Sequence, residues 1–283
     1  MKKIIVLVAV CAAFSGKPAL SQELTPLPQS SSITLTEFVL KDGTRAYGTI
    51  ERETADEIVF RTPAGATITV KRSDVVSLKQ REGRLDGGEF RRGDPHLTRL
   101  FFAPTGRSLP PGKVSFGMFG YVMPFIQVGV TERFSVGGGT PFFFGFEESD
   151  RPFWITPKYQ VVDGESTQMA VGALHMVASG ESVGIAYAVG SRGNPDNAAT
   201  AGVGYAYTGD GDGGVVVMVG GERRVRNNLK FISENYLWKG GQGLLSGGVR
   251  LIGDHFATDI ALVAPIGMDY LIVFPVVNFV YVF

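Results

Sequence analysis

The chain has 283 residues, with 27 basic and 27 acidic side chains, so it can form one large or two modest domains. The balanced charge argues against a nucleic-acid-binding protein, which needs a basic face. Charged residues make up only 19% of the chain, whereas glycine reaches 38 residues and aromatics 11%. This combination is typical of a membrane β-barrel with aromatic girdles.

The N-terminal residues have the pattern of a secretory signal peptide. Two lysines precede the apolar run Ile4–Phe14, which is too short to span a bilayer, and residues 19–21 are compatible with a cleavage site. We predict a signal peptide over residues 1–21 and a flexible Pro- and Ser-rich leader over residues 22–32. The single cysteine, Cys11, lies in the predicted signal peptide, so we expect neither a disulfide nor a thiolate metal site in the mature protein. We also expect no cofactor.

Residues 33–80 predict a small β domain. Short alternating segments are separated by turn sequences such as Asp42-Gly43 and Ala64-Gly65. The five predicted strands are Thr36–Leu40, Arg45–Glu51, Glu57–Thr62, Ala66–Lys71 and Val75–Lys79. The pattern resembles SH3-like or Sm-like modules. Sm-like proteins bind RNA, but an exported copy would meet little RNA, so we expect a periplasmic protein partner instead and no nucleic acid.

Residues 81–112 are predicted to be a linker and a lead-in to a second domain. The first part is polar and glycine-rich, and the second part, Asp94–Leu109, contains the sequence RLFFAPTGR. Leu100, Phe101 and Phe102 are too apolar to lie bare in water. We expect them to plug a barrel, pack on its rim or touch a membrane interface.

From residue 113 to residue 283 the chain repeats a hairpin pattern. The predicted strands are Lys113–Val122, Phe125–Val130, Phe134–Phe144, Phe153–Val162, Gln168–Ala178, Val183–Gly190, Ala199–Thr208, Gly214–Arg224, Leu229–Leu237, Gly243–Ile252, His255–Val263 and Leu271–Phe283. Tilted strands of about 9–11 residues cross a bilayer, and bacterial barrels use even strand numbers. We therefore predict an all-β protein with an antiparallel transmembrane barrel of about twelve strands; ten or fourteen are alternatives.

Alternation along the strands predicts which side chains face lipid. In Val183–Gly190, Val183, Ile185, Tyr187 and Val189 share one face, and small residues occupy the other. Large apolar groups are expected to face lipid and small ones the lumen.

The strand Leu271–Phe283 is apolar or aromatic at every second position, including Phe279, Tyr281 and Phe283. Apart from Pro275, it resembles the C-terminal signature strand of bacterial outer-membrane barrels. The resemblance implies that Phe279, Tyr281 and Phe283 are an assembly signal for the barrel-assembly machinery, and that the partners include outer-membrane lipid.

Together, the RLFFxPTGR lead-in and this last strand resemble a family of largely uncharacterised bacterial outer-membrane β-barrel proteins. The resemblance covers about Asp94–Phe283 and implies a location in the cell outer membrane, with the N-terminal module in the periplasm. The family brings no established chemistry that can be assigned to residues of this sequence.

Ionisable residues in three successive strands predict a charge cluster in the lumen. Alternation places Glu234, Arg250 and Asp259 on the face opposite the large apolar side chains. An isolated charge there would be expensive, so Arg250 is expected to be shared between the two carboxylates. The cluster is either a selectivity or catalytic site, or a salt-bridge network that fills a narrow barrel.

The sequence contains no catalytic or metal-binding motif. Its three histidines, His96, His175 and His255, lie far apart and form no metal-ligand spacing. We therefore predict a non-enzymatic barrel, either a structural and docking protein or a narrow pore. A lipid-modifying barrel enzyme using His175 or His255 is the alternative, and a soluble secreted β protein is a further one.

Overall fold

The computed structural model describes residues 33–86, 89–141, 151–267 and 272–283. In these residues the regular structure is β, apart from one short 3-10 turn at Arg72–Asp74. The predicted signal peptide and leader lie outside the described residues. No helix in the described ranges has the length and apolar character needed to cross a membrane.

The first part of the chain forms a six-stranded antiparallel sheet in the order β4-β3-β2-β1-β5-β6. Its strands are β1 (Ile33–Leu40), β2 (Arg45–Glu53), β3 (Glu57–Arg61), β4 (Thr67–Lys71), β5 (Val75–Asp86) and β6 (Glu89–Arg92). Phe38, Ile58 and Phe60 form the core, and the rings of Phe38 and Phe60 stack with centroids 3.9 Å apart.

This small sheet extends beyond residue 80, the predicted end of the module. Residues 83–86 of β5 pair with β6, which places Leu85 opposite Phe90. The residues around this pair are polar, so their alternation gives no continuous apolar face. The sequence pattern therefore does not indicate a strand here. The likeness to SH3-like or Sm-like modules stays a prediction.

The second part is a closed antiparallel barrel of twelve strands, in which β18 pairs with β7. The strands are β7 (Val114–Phe119), β8 (Met123–Gly129), β9 (Phe134–Gly139), β10 (Phe153–Asp163), β11 (Thr167–Ala178), β12 (Glu181–Gly193), β13 (Asn197–Thr208), β14 (Gly213–Arg226), β15 (Leu229–Trp238), β16 (Gly243–Ile252), β17 (Phe256–Ile266) and β18 (Phe274–Val282). The predicted fold class and strand number are confirmed. The first hairpin turns at Gly120 and Tyr121, both at positive φ.

The expected facing of β12 is wrong. Tyr187 packs against the buried cluster inside the barrel, and Val189 belongs to that cluster. Tyr187 lies opposite Gly172 and Gly204 on the neighbouring strands. A side chain at Gly172 would begin 2.5 Å from the Tyr187 hydroxyl, so the glycine makes room for the ring. Large groups point inward here because the lumen contains apolar surface for them to pack against.

The outer surface of the barrel is an apolar belt. Its exposed large side chains include Phe116, Ile126, Phe153, Ile155, Val171, Val203, Val217, Val219, Phe231, Leu245, Ile260 and Leu262. Monomeric soluble proteins rarely expose contiguous apolar patches larger than a few hundred Å². The belt therefore suits an apolar environment around the barrel.

Ion pairs and hydrogen bonds attach the small sheet to one end of the barrel. Arg81 and Arg92 both pair with Asp254 in the β16–β17 turn, the second at 3.5 Å. The backbone N–H of Arg92 donates to Oδ1 of Asn227 in the β14–β15 turn at 2.9 Å. Glu37 of the sheet binds the same two arginines, at 2.7 and 2.9 Å.

The contacts between the small sheet and the barrel favour the charged form of Glu37. Burial raises the pKa of the Glu37 carboxyl, but hydrogen bonds from Arg81 and Tyr47 and the positive charge of Arg92 outweigh burial and hold the pKa below its usual value. Glu37 therefore stays ionised at neutral pH and continues to bind both arginines.

Candidate functional site

The lumen contains a segment of the chain itself, residues 94–109, which we call the plug segment. Leu100, Phe101 and Ala103 are buried and belong to one core cluster with residues from the barrel wall. The wall contributes Ala170, Val189, Met218, Ile232 and Ala261 to this cluster. Leu100 and Phe101 therefore plug the barrel, which is one of the three locations expected for them. Phe102 is 36% exposed, and its ring centroid lies 5.5 Å from that of Phe119.

The plug segment folds back on itself in a tight turn at residues 100–103, which we call the plug turn. The N–H of Leu100 donates to the carbonyl of Ala103 at 2.9 Å, and the N–H of Thr105 donates to the carbonyl of Thr98 at 2.9 Å. Backbone approaches the wall closely at Gly106, where a Cβ atom would lie 2.2 Å from the carbonyl oxygen of Gln168. Any larger residue at this position would push the plug segment away from β11.

Glu234 binds the tip of this turn. One carboxylate oxygen, Oε2, accepts hydrogen bonds from the backbone N–H groups of Phe101, Phe102 and Ala103 at 2.8, 3.0 and 3.0 Å. The other oxygen accepts a hydrogen bond from the Tyr236 hydroxyl at 2.8 Å. Successive N–H groups converging on one anion form a backbone nest. The buried charge of Glu234 is therefore stabilised by the main chain of the plug segment.

Arg250 binds the plug segment from the neighbouring strand. Its guanidinium makes two hydrogen bonds to Asp259, at 2.6 and 3.1 Å, and one to Asp94 at 3.1 Å. It also donates to the carbonyls of His96, at 2.9 Å, and Leu100. A fully buried arginine needs such a complete set of acceptors, and here most of them come from the plug segment.

The ion pairs continue across the lumen. Lys230 contacts Asp94 at 2.5 Å and Glu222 at 2.7 Å, and Glu222 also pairs with Arg107. Together with the Arg250 contacts, this gives an unbroken chain, which we call the lumen network: Asp259, Arg250, Asp94, Lys230, Glu222 and Arg107. Its formal charges alternate in sign and sum to zero. The network therefore joins both ends of the plug segment to the barrel wall without a net buried charge.

The polar side chains of other strands also bind the plug segment. Lys158 donates to the carbonyls of Thr98 and Arg107 at 3.1 and 2.6 Å. Asn278 of β18 donates to the carbonyl of Phe101 at 3.0 Å. The segment is thus bound from several sides of the barrel.

No family model matches the chain, and no curated protein does either. Among solved structures, the chain is similar to KdgM porin in complex with disordered oligogalacturonate, with 9% identity, 60% of this chain and 96% of that chain covered, and a TM-score of 0.45. NanC porin has 12% identity, coverages of 60% and 98%, and a TM-score of 0.41. A loop L8 deletion mutant of OmpT, an outer membrane protein of Vibrio cholerae, has 10% identity, coverages of 89% and 97%, and a TM-score of 0.36. Likenesses this distant say nothing about what this chain binds or transports.

The three residues of the predicted charge cluster have different partners. Arg250 and Asp259 form an ion pair directly across β16 and β17. Glu234 contacts the plug turn instead, and the second carboxylate on Arg250 is Asp94. Glu234 and Arg250 are nevertheless linked indirectly, because both bind the turn that contains Leu100 and Phe101.

Four of the six residues of the lumen network lie outside the predicted charge cluster. Asp94 and Arg107 lie in the lead-in, where a charged residue beside proline or glycine suggests only an exposed loop. Glu222 of β14 and Lys230 of β15 are also absent from the predicted cluster. For Glu222 and Lys230, the available signal is their position on the inner face of apolar strands, where a buried charge needs a partner.

Among the described residues, neither His175 nor His255, the histidines considered for the alternative enzyme, forms a hydrogen bond with the lumen network. The ring of His175 lies within 3.0 Å of the Tyr207 hydroxyl, on the outward face of β11 and β13. The ring of His255, in the β16–β17 turn, lies 6.0 Å from that of Tyr281. In the part of the chain that the structure describes, no hydrogen bond joins either histidine to a serine, and no group of three His, Cys, Asp or Glu residues could hold a metal ion.

The proposed assembly-signal residues lie at the barrel seam. Phe279 and Tyr281 of β18 pair with Met118 and Phe116 of β7, and the N–H of Phe283 donates to the carbonyl of Val114 at 2.9 Å. Phe283 is 67% exposed, so its side chain is available for contact while its backbone helps close the barrel.

Proposed function

We propose that this is an outer-membrane β-barrel protein whose lumen is closed by its own plug segment and which acts without catalysis as a structural and docking protein. The observation that carries the proposal is the lumen network, which binds the plug segment to strands on several sides of the barrel. A channel for solutes needs a water-filled lumen, whereas this one contains buried side chains and backbone turns.

Location in a membrane is supported by the apolar belt and by strand lengths. The strands β10 to β17 contain 10 to 14 residues, enough to cross a bilayer at a tilt. A closed barrel is one of the two architectures that satisfy all backbone hydrogen bonds in lipid. The sequence resemblance to outer-membrane barrels and the predicted signal peptide point to the outer membrane.

Loop lengths support a periplasmic location for the small sheet. The turns at the end of the barrel that contacts the sheet are short, as at 194–196, 227–228 and 253–255. The opposite end includes the longer connections 140–152 and 267–273. Bacterial barrels have short periplasmic turns and longer extracellular loops. We propose that the sheet faces the periplasm and docks a protein partner there through residues 33–80.

Conductance in planar bilayers tests the closed state. We expect the intact protein to insert without opening a channel, and a variant whose residues 97–106 are replaced by a Gly-Ser segment of equal length to conduct ions. Steady conductance by the intact protein would favour the narrow pore instead. A lipase assay on the same preparation tests the enzyme alternative, which predicts hydrolysis that depends on His175 or His255.

The assembly signal is tested by Phe283→Asp. We expect the variant to be degraded in the periplasm instead of giving heat-modifiable barrel, because the assembly machinery would no longer recognise the aromatic side chain. The backbone hydrogen bond from Phe283 to Val114 does not depend on the side chain, so barrel closure itself is not removed. Phe153→Asp is the matched control, since Phe153 is also exposed, at 54%, but lies outside the seam. Equal yields of the two variants would contradict a specific signal.

A further inference from the structure

Two apolar cavities lie inside the barrel beside the plug turn. Their volumes are about 180 and 110 Å³. Arg99, Phe102, Thr156 and Leu174 border both cavities. The larger cavity continues to Tyr187, Met218 and Tyr236, and the smaller one to Phe119, Trp154 and Met176. For comparison, an apolar cavity of roughly 150 Å³ is large enough to hold benzene.

The cavities lie toward the end of the barrel opposite the small sheet. Leu174 and Met176 lie near the β11–β12 turn, and Phe119 and Met123 lie beside the β7–β8 turn. The contacts to the small sheet are at the other end, at Asn227 and Asp254. The plug segment thus separates the cavities from the periplasmic end that we propose.

Arg99 is the charged residue of the cavity walls. Its guanidinium donates to the carbonyl of Phe102 at 3.0 Å and lies 5.6 Å from the ring centroid of Phe119. Its Nε atom is buried and has no hydrogen-bond partner. Among the described residues, no carboxylate forms an ion pair with Arg99, unlike Arg107 and Arg250, which do have carboxylate partners.

This arrangement has the chemistry of a site for an amphipathic anion. A half-buried cation with a buried, unpartnered donor atom favours a carboxylate, since charge-assisted hydrogen bonds are the strong ones. The surrounding leucine, methionine and aromatic side chains favour a hydrocarbon chain. We propose that the two cavities bind a fatty acid, with its carboxylate on Arg99 and its chain against Leu174 and the apolar walls.

Trp154 provides a reporter for this site. It lines the smaller cavity and is buried, whereas Trp238, the other tryptophan of the chain, is exposed near the end of β15. In a Trp238→Phe background, a medium-chain fatty acid with bromine at its chain end should quench Trp154 saturably. In a Trp154→Phe background, Trp238 should show only the unsaturable quenching caused by partition into the detergent.

Substitutions can distinguish the contribution of the Arg99 charge to binding from that of the cavity shape. Arg99→Gln should weaken binding of the fatty acid about ten- to a hundredfold, because a hydrogen bond between charged groups is lost. The matching brominated fatty alcohol should bind weakly and respond little to this change. Leu174→Phe should weaken both ligands by narrowing both cavities. The control Arg133→Gln, in the exposed β8–β9 turn, should change neither.

Each result supports or overturns the proposal. Heat-modifiability confirms that each variant is folded, and Leu174→Phe tests the cavities even if Arg99→Gln disturbs the plug turn. Quenching of Trp154 that never saturates would show that the cavities hold no ligand of this class. An equal loss for acid and alcohol in Arg99→Gln would show that Arg99 does not bind the carboxylate.

Discussion

Arg250→Ala is expected to lower the free energy of unfolding by about 3–5 kcal/mol, the usual cost of removing one partner from a buried ion pair. The substitution would leave the carboxylates of Asp94 and Asp259 with fewer partners, and it would remove the donor to the carbonyls of His96 and Leu100. Equilibrium unfolding in detergent, followed by circular dichroism and heat-modifiability, measures the effect. If the barrel still closes, the extra negative charge should make any leak cation-selective.

Two further substitutions make this result specific. Arg133→Ala removes the same charge from an exposed turn and should change stability little. Arg250→Lys keeps the charge but loses the two-pronged contact with Asp259, so we expect an intermediate loss. Unchanged unfolding of Arg250→Ala would mean that the lumen network does not form.

Glu234→Ala is expected to release the plug turn rather than unfold the barrel. The N–H groups of Phe101, Phe102 and Ala103 would lose their common acceptor, and each buried unsatisfied group costs about 1–3 kcal/mol. The turn can relieve this cost by moving away from β15 until water reaches the three N–H groups. We therefore expect faster amide exchange in residues 100–103 and intermittent channel openings in bilayers.

The exchange measurement can distinguish charge from acceptor geometry. Glu234→Gln keeps one acceptor oxygen without the charge, so protection of the three amides should fall less than in Glu234→Ala. Glu132→Ala, in the exposed β8–β9 turn, is the matched control and should leave protection in residues 100–103 unchanged. Full protection in Glu234→Ala would show that the turn is bound mainly by its apolar contacts.

The barrel could be predicted from the sequence because its signals are local. Period-two alternation and turn residues recur through residues 113–283, and each hairpin is read from its own residues. The same alternation is enough to place Arg250 and Asp259 on one face of β16 and β17, because a charge among large apolar groups has to turn away from lipid. The count of twelve strands follows from these local patterns.

Only the tertiary structure decided what fills the barrel. The plug segment is far in sequence from its partners, so no local pattern shows that Glu234 meets the turn at Phe101 or that Asp94 meets both Lys230 and Arg250. The expected facing of β12 is wrong for the same reason. Tyr187 points inward because the plug segment and the neighbouring glycines create a place for its ring. Packing inside a closed barrel depends on which distant residues share the lumen, and the alternation of a single strand carries no information about them.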